Sequence, residues 1–421
     1  MASQTFSNFH ASHVGQSHFA SRFLSMLAIA ALTLSSASAS TTEIIYRFTG
    51  GSDGEYLDTD LVVDRQGNIY GTSVQGGTFG SGTVFQLSHS STGWTHTVLY
   101  SFTGGADGGE PYKGVTLDAH GNLYGTAVTG GSGSCEGGCG VIFKLTNSGA
   151  SWTQTVIHAF TGGNDGSGPG SGLTFDHHGY LYGMTPTGGA YGLGVIFQLR
   201  PQANGTWGLN VIHTFTGGND GSSGSAGRLI FDRAGNLYGV TTVGGANGKG
   251  VAFQLTHSQT GWTLVPLYAF KDQPDGALPY GGLIFDRAGN LYGTTYYAGA
   301  NDVGTVYKLT HAAGSWTETV LYNFKGGTDG SSPISTLVSD EAGNLYGTTS
   351  DGGTHCACGV IFKLAPSDNS SWTESVRYRF PGAPKAGFSY NGMVGDSEGN
   401  FYGATTHGGP TNDGTIYKFT P

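Results

Sequence analysis

Gly121-Asn122-Leu123-Tyr124-Gly125 is one of seven copies of a five-residue signature, Gly-Asn-apolar-Tyr-Gly. The copies begin at Gly67, Gly121, Gly179, Gly235, Gly289, Gly343 and Gly399, spaced 54 to 58 residues apart. Only the third departs at Asn, with Tyr180 in its place. A fixed period of this length marks a repeat architecture in which each copy is one supersecondary unit. Residues that recur seven times belong to scaffold before chemistry.

Working outward from Gly121, one unit reads as four strands. Trp94-Thr95-His96-Thr97-Val98-Leu99-Tyr100-Ser101-Phe102 alternates with period two, so that Trp94, Val98, Tyr100 and Phe102 share a face. Thr103-Gly104-Gly105-Ala106-Asp107-Gly108 is turn material. Val115-Thr116-Leu117 is a short strand, and Asp118-Ala119-His120-Gly121-Asn122 a tight turn in which Asp accepts backbone bonds. Leu123 to Thr126 and Val141 to Leu145 supply two further strands around a Gly-rich loop. Seven such units with no helical pattern predict an all-β, seven-bladed β-propeller, one four-stranded blade per repeat. The inner strand is expected to be the short one and the outer strand the one that opens on Trp.

The chain ends bear on closure. The six tryptophans (94, 152, 207, 262, 316 and 372) all open the long strand. A seventh copy, Thr42-Glu43-Ile44-Ile45-Tyr46-Arg47-Phe48, stands alone near the N-terminus, while the last repeat stops at its third strand, Gly414 to Thr420. The N-terminal strand is therefore expected to complete the last blade and remove an exposed edge.

Composition agrees with this architecture. Gly contributes 76 of 421 residues and charged residues only 11%, with 23 Phe and 22 Tyr for a core, which suits short strands joined by Gly-rich turns rather than disorder. The net charge of −10 and the lack of any Lys/Arg run argue against nucleic acid and anionic membrane surfaces as partners. Arg22, the apolar stretch Phe23 to Leu32 and Ala37-Ser38-Ala39 read as a signal peptide over residues 1–39, leaving 40–421 as the repeat domain. The apolar stretch is too short for a membrane span. The product is expected to be secreted or periplasmic, monomeric, and without a membrane span after cleavage.

The Gly-Asn-Leu-Tyr-Gly-Thr-Thr core, the Gly-Val-Ile-Phe-Lys-Leu strand and the Leu-Tyr-x-Phe-x-Gly-Gly-x-Asp-Gly run recur in that order. Together they resemble the GloVer tandem-repeat family of exported bacterial proteins, over essentially all of residues 42–421. The resemblance implies export and an extracytoplasmic repeat domain, and no activity. Its "choice-of-anchor" members carry C-terminal anchoring segments, whereas Ile416-Tyr417-Lys418-Phe419-Thr420-Pro421 looks like none.

Two acidic series recur. Asp53, Asp107, Asp165, Asp220, Asp275 and Asp329 sit in the Gly-Gly-x-Asp-Gly loop or its variant, and Asp64, Asp118, Asp176, Asp232, Asp286, Asp340 and Asp396 in the tight turn. Both are read as turn chemistry. Calcium wants several carboxylates where each loop offers one, so no cofactor is expected, with calcium the alternative. Cys135 with Cys139, and Cys356 with Cys358, are expected as local disulfides of an exported protein. The second would be the more strained and reducible pair. His355 beside Cys356 offers the weaker alternative of a partial metal site.

Chemistry should lie where the repeats disagree. Four residues before the tight-turn Asp, four repeats carry Gly, while the others carry Asp60, Arg228 and Thr336. Two residues earlier stand Asp58, Tyr112, Tyr280 and Tyr390. The topology puts these positions at the mouth of the central channel, on the face rich in loops. Aromatic faces with a few carboxylates suit a sugar or peptide. The expected function is thus a non-catalytic module binding extracellular glycan or protein at Asp58, Asp60, Tyr112, Arg228, Tyr280 and Tyr390. The alternatives are a sugar- or lactone-acting hydrolase or lyase, calcium-assisted, using Asp58 and Asp60, and a structural envelope protein.

Overall fold

The computed structural model describes residues 40–149, 151–224, 227–353, 356–367 and 371–421. The expected signal peptide and His355 lie outside these residues. The described chain is a seven-bladed β-propeller of four-stranded antiparallel blades, with helix confined to single turns at Gly51–Asp53 and Gly327–Asp329. Within the first blade the order from the axis outward is Val62–Val63, Ile69–Ser73, Thr83–Ser90 and Gly93–Ser101. The other blades repeat that order, so the Trp strand is outermost as the sequence indicates.

The signature has a physical explanation in every position. Gly121 opens it with φ 80°, a left-handed turn conformation that disfavours a side chain. The Asn backbone and amide both donate to the turn Asp: Asn68 N to Asp64 Oδ1 at 2.9 Å and Asn68 Nδ2 to Asp64 Oδ2 at 2.8 Å. The apolar residue points into the core, with Ile69 and Leu123 fully buried. The hydroxyls of all seven signature tyrosines donate to the same turn Asp at 3.0–3.2 Å. The closing Gly leaves room for the aromatic ring of the third strand: a Cβ on Gly239 would stand 2.7 Å from Phe253 Cζ. Carboxylates that accept several hydrogen bonds become more acidic. Asp118, Asp232, Asp286, Asp340 and Asp396 are each held below the usual carboxylate range in this way, burial opposing the shift and the Asn and Tyr bonds outweighing it.

The signature tyrosine also carries the contact between blades. Each Trp lies against the signature Tyr of the preceding blade, ring centroids 5.9–6.4 Å apart: Trp94 on Tyr402, Trp152 on Tyr70, Trp207 on Tyr124, Trp262 on Tyr182, Trp316 on Tyr238 and Trp372 on Tyr292. Tyr346 has no Trp, because that position falls at Ser40. It packs instead on Phe401 at 5.2 Å and Phe419 at 6.0 Å. In the other six repeats aliphatic residues hold both of those positions, so two enlarged side chains fill the space of one missing Trp.

The ring closes as the chain ends indicate. Thr41–Arg47 pairs antiparallel with Thr415–Thr420, from Thr41 opposite Thr420 to Arg47 opposite Thr415. Phe48, fully buried, then enters the core shared with the first blade.

The Gly-Gly-x-Asp-Gly carboxylates brace their own loops. Asp107 accepts from Tyr100 Oη at 2.8 Å and Thr103 N at 2.9 Å, and Asp329 from Tyr322 Oη at 2.7 Å and Lys325 N at 2.8 Å. Cys135–Cys139 and Cys356–Cys358 are both bonded, with Cα–Cα separations of 5.1 and 5.2 Å. Among the described residues no helix is long and apolar enough to cross a membrane.

Candidate functional site at the channel mouth

The inner strands leave an axial cavity of about 440 Å³ that opens on the loop-rich face and is lined by residues from all seven blades. Its walls are aromatic. Tyr56 and Tyr280 are partly exposed at the rim, with Tyr112 and Tyr390 half-buried between them. Tyr280 meets Tyr296 edge-on at 5.6 Å. Tyr390 stacks near Phe388 at 6.4 Å, and Phe388 and Tyr56 each make a T-shaped contact with His407.

One sector of the wall, built by blades seven, one and two, is polar. Lys113 Nζ donates to Asp58 Oδ1 at 2.6 Å and to Asn391 Oδ1 at 2.9 Å. Lys113 and Asp58 are mostly shielded from solvent, at 12% and 18% side-chain exposure, so water and salt screen this ion pair less than a surface one. Desolvation alone would lower the Lys113 pKa, but Asp58 and Asp60 outweigh it and hold the ammonium above its ordinary range.

The backbone of blade two is reshaped to put Lys113 there. At the equivalent position, Thr59, Ser171 and Ser335 accept a hydrogen bond from the second strand of their own blade, at 2.9, 2.8 and 2.9 Å. Lys113 instead adopts φ 60°, a left-handed conformation uncommon for a long side chain. Local strain of this kind persists where surrounding structure enforces it and is concentrated at functional sites. The same left-handed conformation recurs at Tyr56, Glu110, Leu278, Ser332 and Phe388, which share one repeat position, whereas at its own repeat position Lys113 adopts it alone among the described residues.

Of the residues singled out by sequence, Asp58, Asp60, Tyr112, Tyr280 and Tyr390 line the cavity. Asp60 lies at its floor, where Asp60, Thr336 and Gly392 border both this cavity and a smaller one of about 280 Å³ beneath. Burial raises the Asp60 carboxyl above its usual range, with Lys113 and Arg228 pulling the other way. Arg228 sits deeper than the mouth position given by the sequence. It lines only the lower cavity and donates to the carbonyls of Leu173 at 3.1 Å and Val115 at 3.3 Å, bracing the inner strands of blades two and three. Sequence reasoning missed Tyr56, Lys113 and Asn391. The available signal was a lone Lys at a position where other repeats carry small residues or Asn.

The model of the Gloeobacter/Verrucomicrobia repeat family matches residues 30–229, 132–353 and 226–421 in three overlapping segments. The chain belongs to this family. The match spans all seven blades of this Gloeobacter/Verrucomicrobia repeat protein. No curated protein matches it. Among solved structures, it is similar to a protein from Lactobacillus plantarum, with a TM-score of 0.56 and 14% identity over 83% of this chain and 90% of that one. A putative 6-phosphogluconolactonase from Bacteroides uniformis aligns with a TM-score of 0.49 and 14% identity, over 76% of this chain and 83% of that one. A putative oxidoreductase (glucose dehydrogenase) from Thermus thermophilus gives 0.45 and 13%, over 90% and 100%. At 14% identity the likeness to the Lactobacillus protein is one of fold alone.

Proposed function

We propose that this repeat protein is an exported, non-catalytic binding module that holds the end of an extracellular glycan in the axial cavity. The observation that carries this reading is the tyrosine-walled cavity with the Asp58–Lys113–Asn391 cluster on one side. Its volume of about 440 Å³ suits a small ligand, and it is concave where a protein partner would favour a broad surface. Tyrosine faces offer apolar contact to the C–H faces of a sugar ring, while carboxylate, ammonium and amide groups match its hydroxyls. Two bonded cysteine pairs fit an oxidising compartment outside the cytoplasm. A glycan array probed with the purified protein tests the reading. Binding should be lost or weakened at least tenfold in Tyr112→Ala, Tyr280→Ala and Tyr390→Ala. Glycan binding indifferent to all three substitutions would refute it.

A second reading, a sugar- or lactone-acting hydrolase, is favoured by one observation. Burial keeps the Asp60 carboxyl protonated to higher pH than usual, as a general acid requires, while Asp58 stays paired with Lys113. Turnover of a glycoside or lactone abolished by Asp60→Asn would favour it over binding alone.

A further inference from the structure

Asn391 is 2% exposed and lines the cavity. Its Oδ1 accepts from Lys113, which fixes the orientation of the amide. Its Nδ2 is buried without a hydrogen-bond partner. An amide N–H in that state carries an uncompensated desolvation cost, so a cavity that keeps one invites an acceptor from outside the protein. Beside it, Asp58 Oδ1 accepts from the same Lys113 nitrogen, and Asp58 Oδ2 has no hydrogen bond to protein among the described residues. One ammonium thus holds a free donor and a free acceptor side by side, and it does so from a left-handed backbone that the corresponding residues of the other blades do not adopt.

The charges around this pair narrow the chemistry. A ligand carboxylate would meet Asp58 and Asp60, and a ligand ammonium would meet Lys113. Asp58 and Lys113 cancel, and burial at the cavity floor disfavours a charge on Asp60, so neither ionic class gains a free counter-charge beside the pair. A hydroxyl both donates and accepts, so two adjacent hydroxyls satisfy Asn391 Nδ2 and Asp58 Oδ2 together.

We infer that the cavity selects an uncharged pyranose through adjacent hydroxyls, one accepting from Asn391 Nδ2 and one donating to Asp58 Oδ2, with Lys113 as the positioning residue. This rests on the glycan reading above and specifies its ligand class. Leaving the buried amide unpaired is what would make the site discriminate, because rejection by unmatched polar groups is stronger than rejection by shape.

The test is calorimetric titration of the purified protein with three probe sets of equal length: neutral hexose oligosaccharides, uronic-acid oligosaccharides and deacetylated amino-sugar oligosaccharides. A neutral set should bind at least tenfold tighter than both charged sets. Asn391→Asp keeps the acceptor for Lys113 and replaces the donor, so it should weaken neutral binding at least tenfold with little change in melting temperature. Lys113→Met should shift the preference toward amino sugars, a change that loss of packing alone would not produce. Equal or tighter binding of a charged set, or unchanged neutral binding in Asn391→Asp, overturns the inference while the glycan reading stands. If no set binds, the glycan reading itself fails and the inference falls with it.

Discussion

Tyr46 lies flat on His96, ring centroids 4.5 Å apart and planes 12° from parallel. The pair joins the N-terminal strand, which belongs to the last blade, to the outer strand of the first. Tyr46 also donates to Asp53 at 3.1 Å, and Phe48 two residues on meets Phe85 at 5.2 Å. Removal of residues 41–49 would strip a full strand from blade seven and uncover the edge of Thr415–Thr420. We expect the truncated protein to unfold or aggregate. Phe48→Ala alone should cost about 3–5 kcal/mol, the usual range for a buried Phe. A truncated form with an unchanged melting temperature would refute closure by this strand.

His96 makes the same junction sensitive to acid. Burial lowers its pKa to about 4, with Asp53 pulling weakly upward, and its Nε2 is buried without a partner. A histidine depressed in the folded state adds stability that is complete above its unfolded value near 6.5 and is lost as pH falls toward 4. Melting temperature should therefore drop between pH 6.5 and 4, and His96→Gln should flatten that part of the profile. An equally steep acid limb in the variant would remove His96 from the account.

The opposite limb belongs to two glutamates. Burial and the neighbouring Asp275 push Glu318 up to about 7, and burial with Asp329 does the same to Glu374. A carboxyl raised in the folded state adds stability that is full below its unfolded value near 4.5 and is lost as pH rises through about 7. Glu318→Gln should make the protein more stable at pH 8 by about 1–2 kcal/mol and nearly neutral at pH 4.5. Denaturant titrations at the two pH values read this directly, and equal gains at both would contradict it.

Tyr307 offers a stabilising substitution with an internal control. Five blades carry Phe at this position and two carry Tyr307 and Tyr417. Both tyrosines are fully buried. The Tyr417 hydroxyl lies 3.4 Å from Ser389 Oγ, while the Tyr307 hydroxyl has no partner. Because an unsatisfied buried hydroxyl costs about 1–3 kcal/mol, Tyr307→Phe should raise stability by about that amount. Tyr417→Phe should gain less. A loss of stability in Tyr307→Phe would mean that a ligand or water serves that hydroxyl.

The architecture was legible because each element of the repeat has one mechanical task. Asp64 and Asn68 tie the turn, Tyr70 meets the next blade, and Trp152 covers it, so periodicity alone conveys ring, strand order and seam. The site was legible only where it differs from the repeat by residue type. Asp58 and the tyrosines could be found in that way. Lys113 also differs by type, but its place in the cavity depends on a reversal of backbone sign that the repeat pattern does not show. Asn391 follows Tyr390 and occupies a position that is polar in most repeats, so nothing in the sequence separates it from a strand-bracing Ser or Thr. Arg228 shows the reverse case: its type is conspicuous, but its guanidinium reaches backbone carbonyls instead of the mouth.

The pairing of Thr41 with Thr420 has a bearing on how the molecule comes into being. Six blades are made of consecutive strands and can fold as they emerge, each stacking on its predecessor. The strand at 41–47 is among the earliest parts of the ring to be synthesised, yet its partner is the very last. It must wait, unpaired and β-prone, until the last repeat has been made, and contacts so distant in sequence form slowly. The interval between the first strand and the last is thus the window in which this protein is open to misassembly or to capture by a helper.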